Sequence, residues 1–243
     1  MKIKIGAFLF VFFLITSPAR SGIFDDFMEK ISPALKGDTT EKILSLEKTI
    51  SGLKEALSVG TGNAVSLLSV DDGYFGNELT KILMPEKIQN VADMLKKVGF
   101  GSQVDNFVLT MNRAAEKAAP QAKEFFIGAI KEMTFDDAKK ILNGGDTAAT
   151  DYLNDKTREK IYAAFKPSVS SSLNQVGATK AYKDMMQSFS SLLFMSAQSL
   201  DLDHYVTDQA LKGLFLRVGE EEAKIRKNPA ARVTGLLEQV FGK

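Results

Sequence analysis

From residue 38 onward the apolar positions of this chain return every three or four residues rather than every second one, and that period predicts helices. Residues 86 to 98 place Ile88, Val91, Ala92, Leu95 and Val98 on one face. A second stripe joins Val104, Phe107, Val108, Met111, Ala115 and Ala118, and a third, starting just after Pro120, joins Ala122, Phe125, Phe126, Ala129, Ile130 and Met133. The longest predicted helix covers Val206 to Lys227, with Leu211, Leu214, Phe215, Val218 and Ile225 in line. Val, Ile and Thr nowhere gather into a strand-like run.

Punctuation sharpens these boundaries. Thr134 and Asp137 have the spacing of an N-cap and its reciprocal acid, and Asn143, Gly144 and Gly145 spell a helix stop. Asp146 or Thr147 would cap the next helix and Thr157 the one after it, which Pro167 would end or kink near Lys166. Pro229 suits the first turn of a final helix reaching Phe241. The expected fold class is all-α: an irregular bundle of about nine or ten helices, without a sheet. Its most conspicuous irregular segment runs from Asp71 through Gly73, Tyr74 and Gly76 to Asn77.

The first residues obey different rules. Lys2 and Lys4 precede an apolar run from Ile5 to Ile15, and Thr16, Ser17, Pro18, Ala19, Arg20 and Ser21 follow it. This is the pattern of a cleaved signal peptide over residues 1–21, and the run falls well short of the roughly 20 residues that span a bilayer. The remaining residues, 22–243, are expected to form a single helical domain, with 22–38 loosely ordered and no transmembrane segment after cleavage. The expected location is therefore periplasmic or secreted.

Composition narrows the function classes. Hydrophobic residues make up 44% and charged residues 25%, enough apolar surface for a real core. Without cysteine there can be no disulfide, thiol nucleophile or Cys-bound metal, so stability rests on packing. His204 is the only histidine, which excludes a two-histidine zinc helix within one chain. No phosphate-loop, dinucleotide or nucleophile-elbow motif is present, so no cofactor, metal or catalytic residue is assigned. Loss of residues 1–21 leaves 28 basic and 30 acidic residues, dispersed along the chain, and no nucleic-acid partner is expected. The 17 Phe residues fall mostly at core spacing, and without Trp a sugar-stacking platform is not indicated.

The candidate chemistry lies in polar residues on otherwise apolar faces. Glu221 and Glu222 fall inside the stripe of the long C-terminal helix, so Glu222 requires a partner: Arg226 one turn away, or Arg113 at long range. Arg113 and Glu116 project away from the stripe of their own helix, either as an exposed ion pair or as the lining of an internal groove. Gly145, Asp146 and Thr147 precede a helix start whose free N–H groups could hold an anion, although a plain turn explains them as well. Asp201, Asp203 and His204 read as an acidic helix start rather than a metal loop.

Four stretches together resemble a known family. They are Gly52 to Leu57, Met111 to Glu116, Gly144 to Thr150, and the run from Asp201 through Val206, Thr207, Leu214 and Phe215 to Glu222. In this order they are similar to the bacterial exported-protein family named for domain of unknown function 4197, over roughly residues 50 to 241. The resemblance implies a bacterial protein of the periplasm or envelope, and attaches no activity. It also implies a small residue at the position of His204, which speaks against a metal role there. The resulting expectation is non-enzymatic binding of a ligand or an envelope protein in a groove bordered by Asn112, Arg113, Glu116, Glu222 and Arg226. The alternatives are a hydrolase-like enzyme using Glu222 or Glu116 as acid or base, and a purely structural protein.

Overall fold

A computed structural model describes residues 38–175, 177–193 and 201–227. The expected signal peptide, the 22–38 segment apart from its last residue, and the final helix after Pro229 lie outside the described residues. The chain divides into two units, Met1–Leu46 and Glu47–Lys243. Of the first, only the start of one helix is described; the second holds the other described residues.

The described residues are helical, without a strand. In chain order the helices are α1 (Asp38–Leu68), α2 (Gln89–Lys97), α3 (Gly101–Ala118), α4 (Ala122–Glu132), α5 (Phe135–Asn143), α6 (Ala148–Gln175), α7 (Ala178–Leu193) and α8 (Leu202–Lys227). Short 3-10 turns at Glu86–Ile88 and Ala119–Gln121 lead into α2 and α4. Central to the unit are α3 and α6: α3 packs on α2, α6, α7 and α8, and α6 also meets α4, α5, α7 and α8. The predicted faces are the buried ones apart from exposed Val98 after α2, with Val104, Phe107, Met111, Ala115 and Ala118 of α3 in the core beside Phe126, Phe165 and Leu214.

The described residues hold eight α-helices, not the expected nine or ten, and α6 shows why. It runs unbroken through both Thr157 and Pro167, where separate helices were expected. The Thr157 hydroxyl is not a cap; it donates back to the Leu153 carbonyl at 2.6 Å, so the side chain meets its polar need inside the helix. Pro167 is exposed, and so is Ala163, whose carbonyl loses its helical partner and can turn to water instead. The buried stripe Leu153, Ile161, Phe165, Val169 and Leu173 continues across the proline and holds the helix together.

The capping box before α5 forms as expected. Thr134 Oγ1 accepts from the Asp137 N–H at 3.2 Å, and Asp137 Oδ2 accepts from the Thr134 N–H at 3.1 Å. The Thr134 hydroxyl, which also donates to Asp137 Oδ2 at 2.7 Å, and then the Thr134 N–H hold the Asp137 carboxyl below the usual carboxylate range.

Candidate functional site

Between α1 and α2 the chain makes its only long excursion from helix among residues 47–193. Asp72 takes a left-handed backbone (φ 65°), and Gly73 lies so close to the end of α1 that a Cβ there would stand 2.5 Å from the Leu67 carbonyl oxygen. The Tyr74 side chain then plunges into the core, and its hydroxyl donates to the Ala210 carbonyl of α8 at 2.8 Å. Opposite the ring stands Gly213, where a Cβ would come within 2.8 Å of Tyr74 Cε1. Burial, then the nearby Glu116 charge, pushes the Tyr74 hydroxyl far above its ordinary pKa, so it stays a donor.

Three side chains of α3 hold this excursion from behind. Glu116, only 3% exposed, accepts the Tyr74 and Phe75 N–H groups on Oε1 at 3.1 and 3.2 Å. Its Oε2 accepts from Arg113 at 2.7 Å, and the other arm of that guanidinium reaches Asp72 at 2.7 Å. The hydrogen bond to Glu116 and, against some desolvation, that to Asp72 raise the Arg113 pKa further above its ordinary value. Fully buried Asn112 accepts the Ile82 N–H at 2.8 Å and donates to the Ile82 carbonyl at 2.9 Å. A third bond from its amide reaches the Val108 carbonyl at 2.8 Å.

The segment thus held, Leu79–Met84, acts as a strap across the molecule. Its far side faces the first turns of α8, where the Tyr205 hydroxyl donates to the Leu83 carbonyl at 2.9 Å. Strap and helix enclose a cleft of about 620 Å³. One wall is Lys81, Leu83, Met84, Pro85, Glu86 and Lys87; the other is Asp201, His204, Tyr205, Asp208 and Gln209. His204 Nδ1 lies 2.6 Å from the Tyr162 hydroxyl, and its backbone N–H is capped by Asp201 at 2.9 Å. Desolvation works against ionisation of Asp208. The hydrogen bond and charge of Lys212, with Arg158 and His204, outweigh it and hold the carboxyl below its usual range. Tyr205 is pushed upward by burial and by Glu86.

Glu222 and Arg226 sit elsewhere. Glu222, 5% exposed, takes the N–H groups of Ala149 and Thr150 at 3.0 and 2.8 Å, and the Thr150 hydroxyl at 2.7 Å. Arg226 approaches it through Nε at 2.9 Å and reaches on to the Ile141 carbonyl at 3.1 Å. The anion at the start of α6 is therefore supplied by the chain itself. In the turn before it, Gly145 accepts the Ala148 N–H, Asp146 pairs with Lys227 at 2.6 Å, and Thr147 bonds Asp151 at 3.0 Å. The cavity bordered by Glu222 and Arg226 is about 10 Å³, room for roughly one water at most.

Asn112, Arg113 and Glu116 thus come together, and so do Glu222 and Arg226, but not the two groups with each other. Ala210, above Tyr74, and Glu222 are about 18 Å apart along α8 at roughly 1.5 Å per residue. Arg113 pairs with Asp72 and Glu116, and it is Arg226 that answers Glu222.

The motifs that build these two knots can be set against known proteins. A family model described as "Protein of unknown function (DUF4197)" matches residues 43–242. The chain belongs to this family. No curated protein and no solved structure matches it.

In this DUF4197 chain the match spans both knots and the cleft, so the cleft belongs to the family region. The strap and Tyr205 are the residues that sequence reasoning missed. A signal was available: Leu79, Lys81 and Leu83 alternate with buried Thr80, Ile82 and Met84 ahead of Pro85, a period of two inside a helical chain. Among the described residues no group of three or more His, Asp or Glu side chains could hold a metal, and no helix is long and apolar enough to cross a membrane. A second groove of about 660 Å³ lies between α1 and the end of α8, more apolar, with Leu67 and Val70 at its rim.

Proposed function

We propose that the chain is a non-enzymatic binding protein of the cell envelope, exported through its N-terminal segment, that takes a ligand or protein partner in the cleft between the strap and α8. The observation that carries this reading is the way the strap is fixed: a non-helical wall held by Asn112 and Tyr205 at three hydrogen bonds of 2.8–2.9 Å, with Glu116 fixing the turn before it at Tyr74 and Phe75. A wall held so firmly before anything binds loses little freedom on binding, and a cleft of about 620 Å³ is in the size range of ligand sites. The motif residues Asn112, Arg113 and Glu116 act here as positioning residues behind the cleft.

The hydrolase-like alternative has less support, because the oxygens of Glu116 and Glu222 are committed to backbone N–H groups and arginines. The apolar groove is the weaker site, since it offers few convergent polar groups.

Photo-crosslinking in the producing cells tests the reading. A crosslinking residue at Gln209 or Lys87, in the cleft, is expected to capture a discrete adduct, while the same residue at exposed Lys117 on α3 does not. Equal capture at all three positions, or none at Gln209 and Lys87, would overturn the assignment.

A further inference from the structure

We propose that the occupant of the cleft is an extended peptide segment that adds to the strap as a β-strand partner; this rests on the binding reading above and names its ligand class. Beyond the turn that ends at Thr80, the strap has the side-chain alternation of a strand: half-buried Lys81 and Leu83, 61% exposed, alternate with buried Ile82 and Met84. Residues 81–85 belong to no helix or turn, and among the described residues no strand lies beside the strap. On its inner edge that role is taken by the Asn112 amide, which offers Ile82 one acceptor and one donor, the same two bonds a neighbouring strand residue makes.

The outer edge is unfinished. Successive residues of an extended chain direct their N–H and C=O groups to opposite sides, so those of Lys81 and Leu83 face away from Asn112. On that side stands Tyr205, a cleft residue, bonded to the Leu83 carbonyl. The Lys81 N–H is taken by the Asn77 carbonyl at 2.8 Å. The Lys81 carbonyl and the Leu83 N–H have no hydrogen-bond partner among the described residues. One acceptor and one donor, two residues apart on one edge, are what a single residue of an added strand engages with its own N–H and C=O. Exposed Leu83 gives such a strand an apolar contact, so the favoured peptide carries an apolar residue opposite it.

The test uses the full chain after export and a displayed library of random heptapeptides, with the best binder made synthetically and its affinity followed by fluorescence anisotropy. Methylating each peptide amide nitrogen in turn is expected to weaken binding with a period of two, by about tenfold or more at the amides facing the strap and little between them. Leu83→Pro, which removes the N–H, is expected to lose binding in a chain that still folds by circular dichroism, where Leu83→Ala, which keeps it, binds measurably. Sensitivity without that period, or unchanged binding by a folded Leu83→Pro chain, would overturn strand addition. If Gln209→Arg still abolished binding in that case, the cleft reading would stand. Failure to select any peptide, with crosslinking at Gln209 intact, would likewise sink the peptide and spare the cleft.

Discussion

Asn112→Leu is the sharpest probe of how the strap is held. Leucine preserves most of the side-chain volume and removes both polar groups, so the loss is one of hydrogen bonding and not of packing. The Ile82 N–H and carbonyl lose the partners they now have at 2.8 and 2.9 Å. Leaving a buried donor or acceptor unpaired costs about 1–3 kcal/mol, which sets a ceiling of about 6 kcal/mol for the two. The strap can relieve part of this by moving toward water, because its neighbours Leu83 and Leu79 are already exposed. The expected loss is therefore about 2–4 kcal/mol, a large share of the roughly 5–15 kcal/mol that ordinarily holds a domain. Urea unfolding followed by circular dichroism measures it, and hydrogen exchange at the Ile82 amide localises it. That amide should be protected in the native chain and exchange rapidly in the variant. A stability loss under about 0.5 kcal/mol with Ile82 still protected would refute the account of Asn112 as the strap's anchor.

Two further outcomes follow from the other clamps. Glu222→Ala takes the carboxylate from beside Arg226 and the acceptor from two N–H groups and should cost about 3–5 kcal/mol in urea unfolding, whereas Glu222→Leu combined with Arg226→Met should recover much of that loss; a double variant no better than the single would show that the ion pair is not its source. Thr134→Ala should cost about 1 kcal/mol at neutral pH by loss of the capping box. Because the folded Asp137 carboxyl is held below its unfolded range, its contribution is complete above the unfolded pKa and fades as pH falls through the folded one. The gap between wild type and Thr134→Ala should thus narrow below about pH 4, and a gap unchanged at about pH 2.5 would contradict this.

What could be read from the sequence was what is local. The stripes of α3 and α8 are apolar at helical spacing, and the capping box and the Glu222–Arg226 pair involve residues within one turn of each other, so periodicity sufficed. Pro167 was misleading because its tolerance depends on which way it faces, and that is fixed by the partners of Phe165 and Val169. The partners of Glu116, Asn112 and Glu222 lie 42, 30 and 73 residues away, and no local pattern encodes such distances. The grouping of all five polar residues around one groove failed for the same reason: a helix shows which face is polar, but not which of its turns meet the same neighbour.

Helix α8 also closes the molecule in time. Tyr74 waits for Ala210, 136 residues downstream, and Leu83 for Tyr205, 122 residues downstream. At about 5–20 residues per second, roughly 6–24 s separate the synthesis of the strap from that of the helix that covers it. Through that interval Tyr74 and Leu83 lack the α8 groups that bond them. A nascent chain of this protein is therefore open to chaperones until α8 arrives, and a chain truncated before α8 would lack both of these bonds permanently.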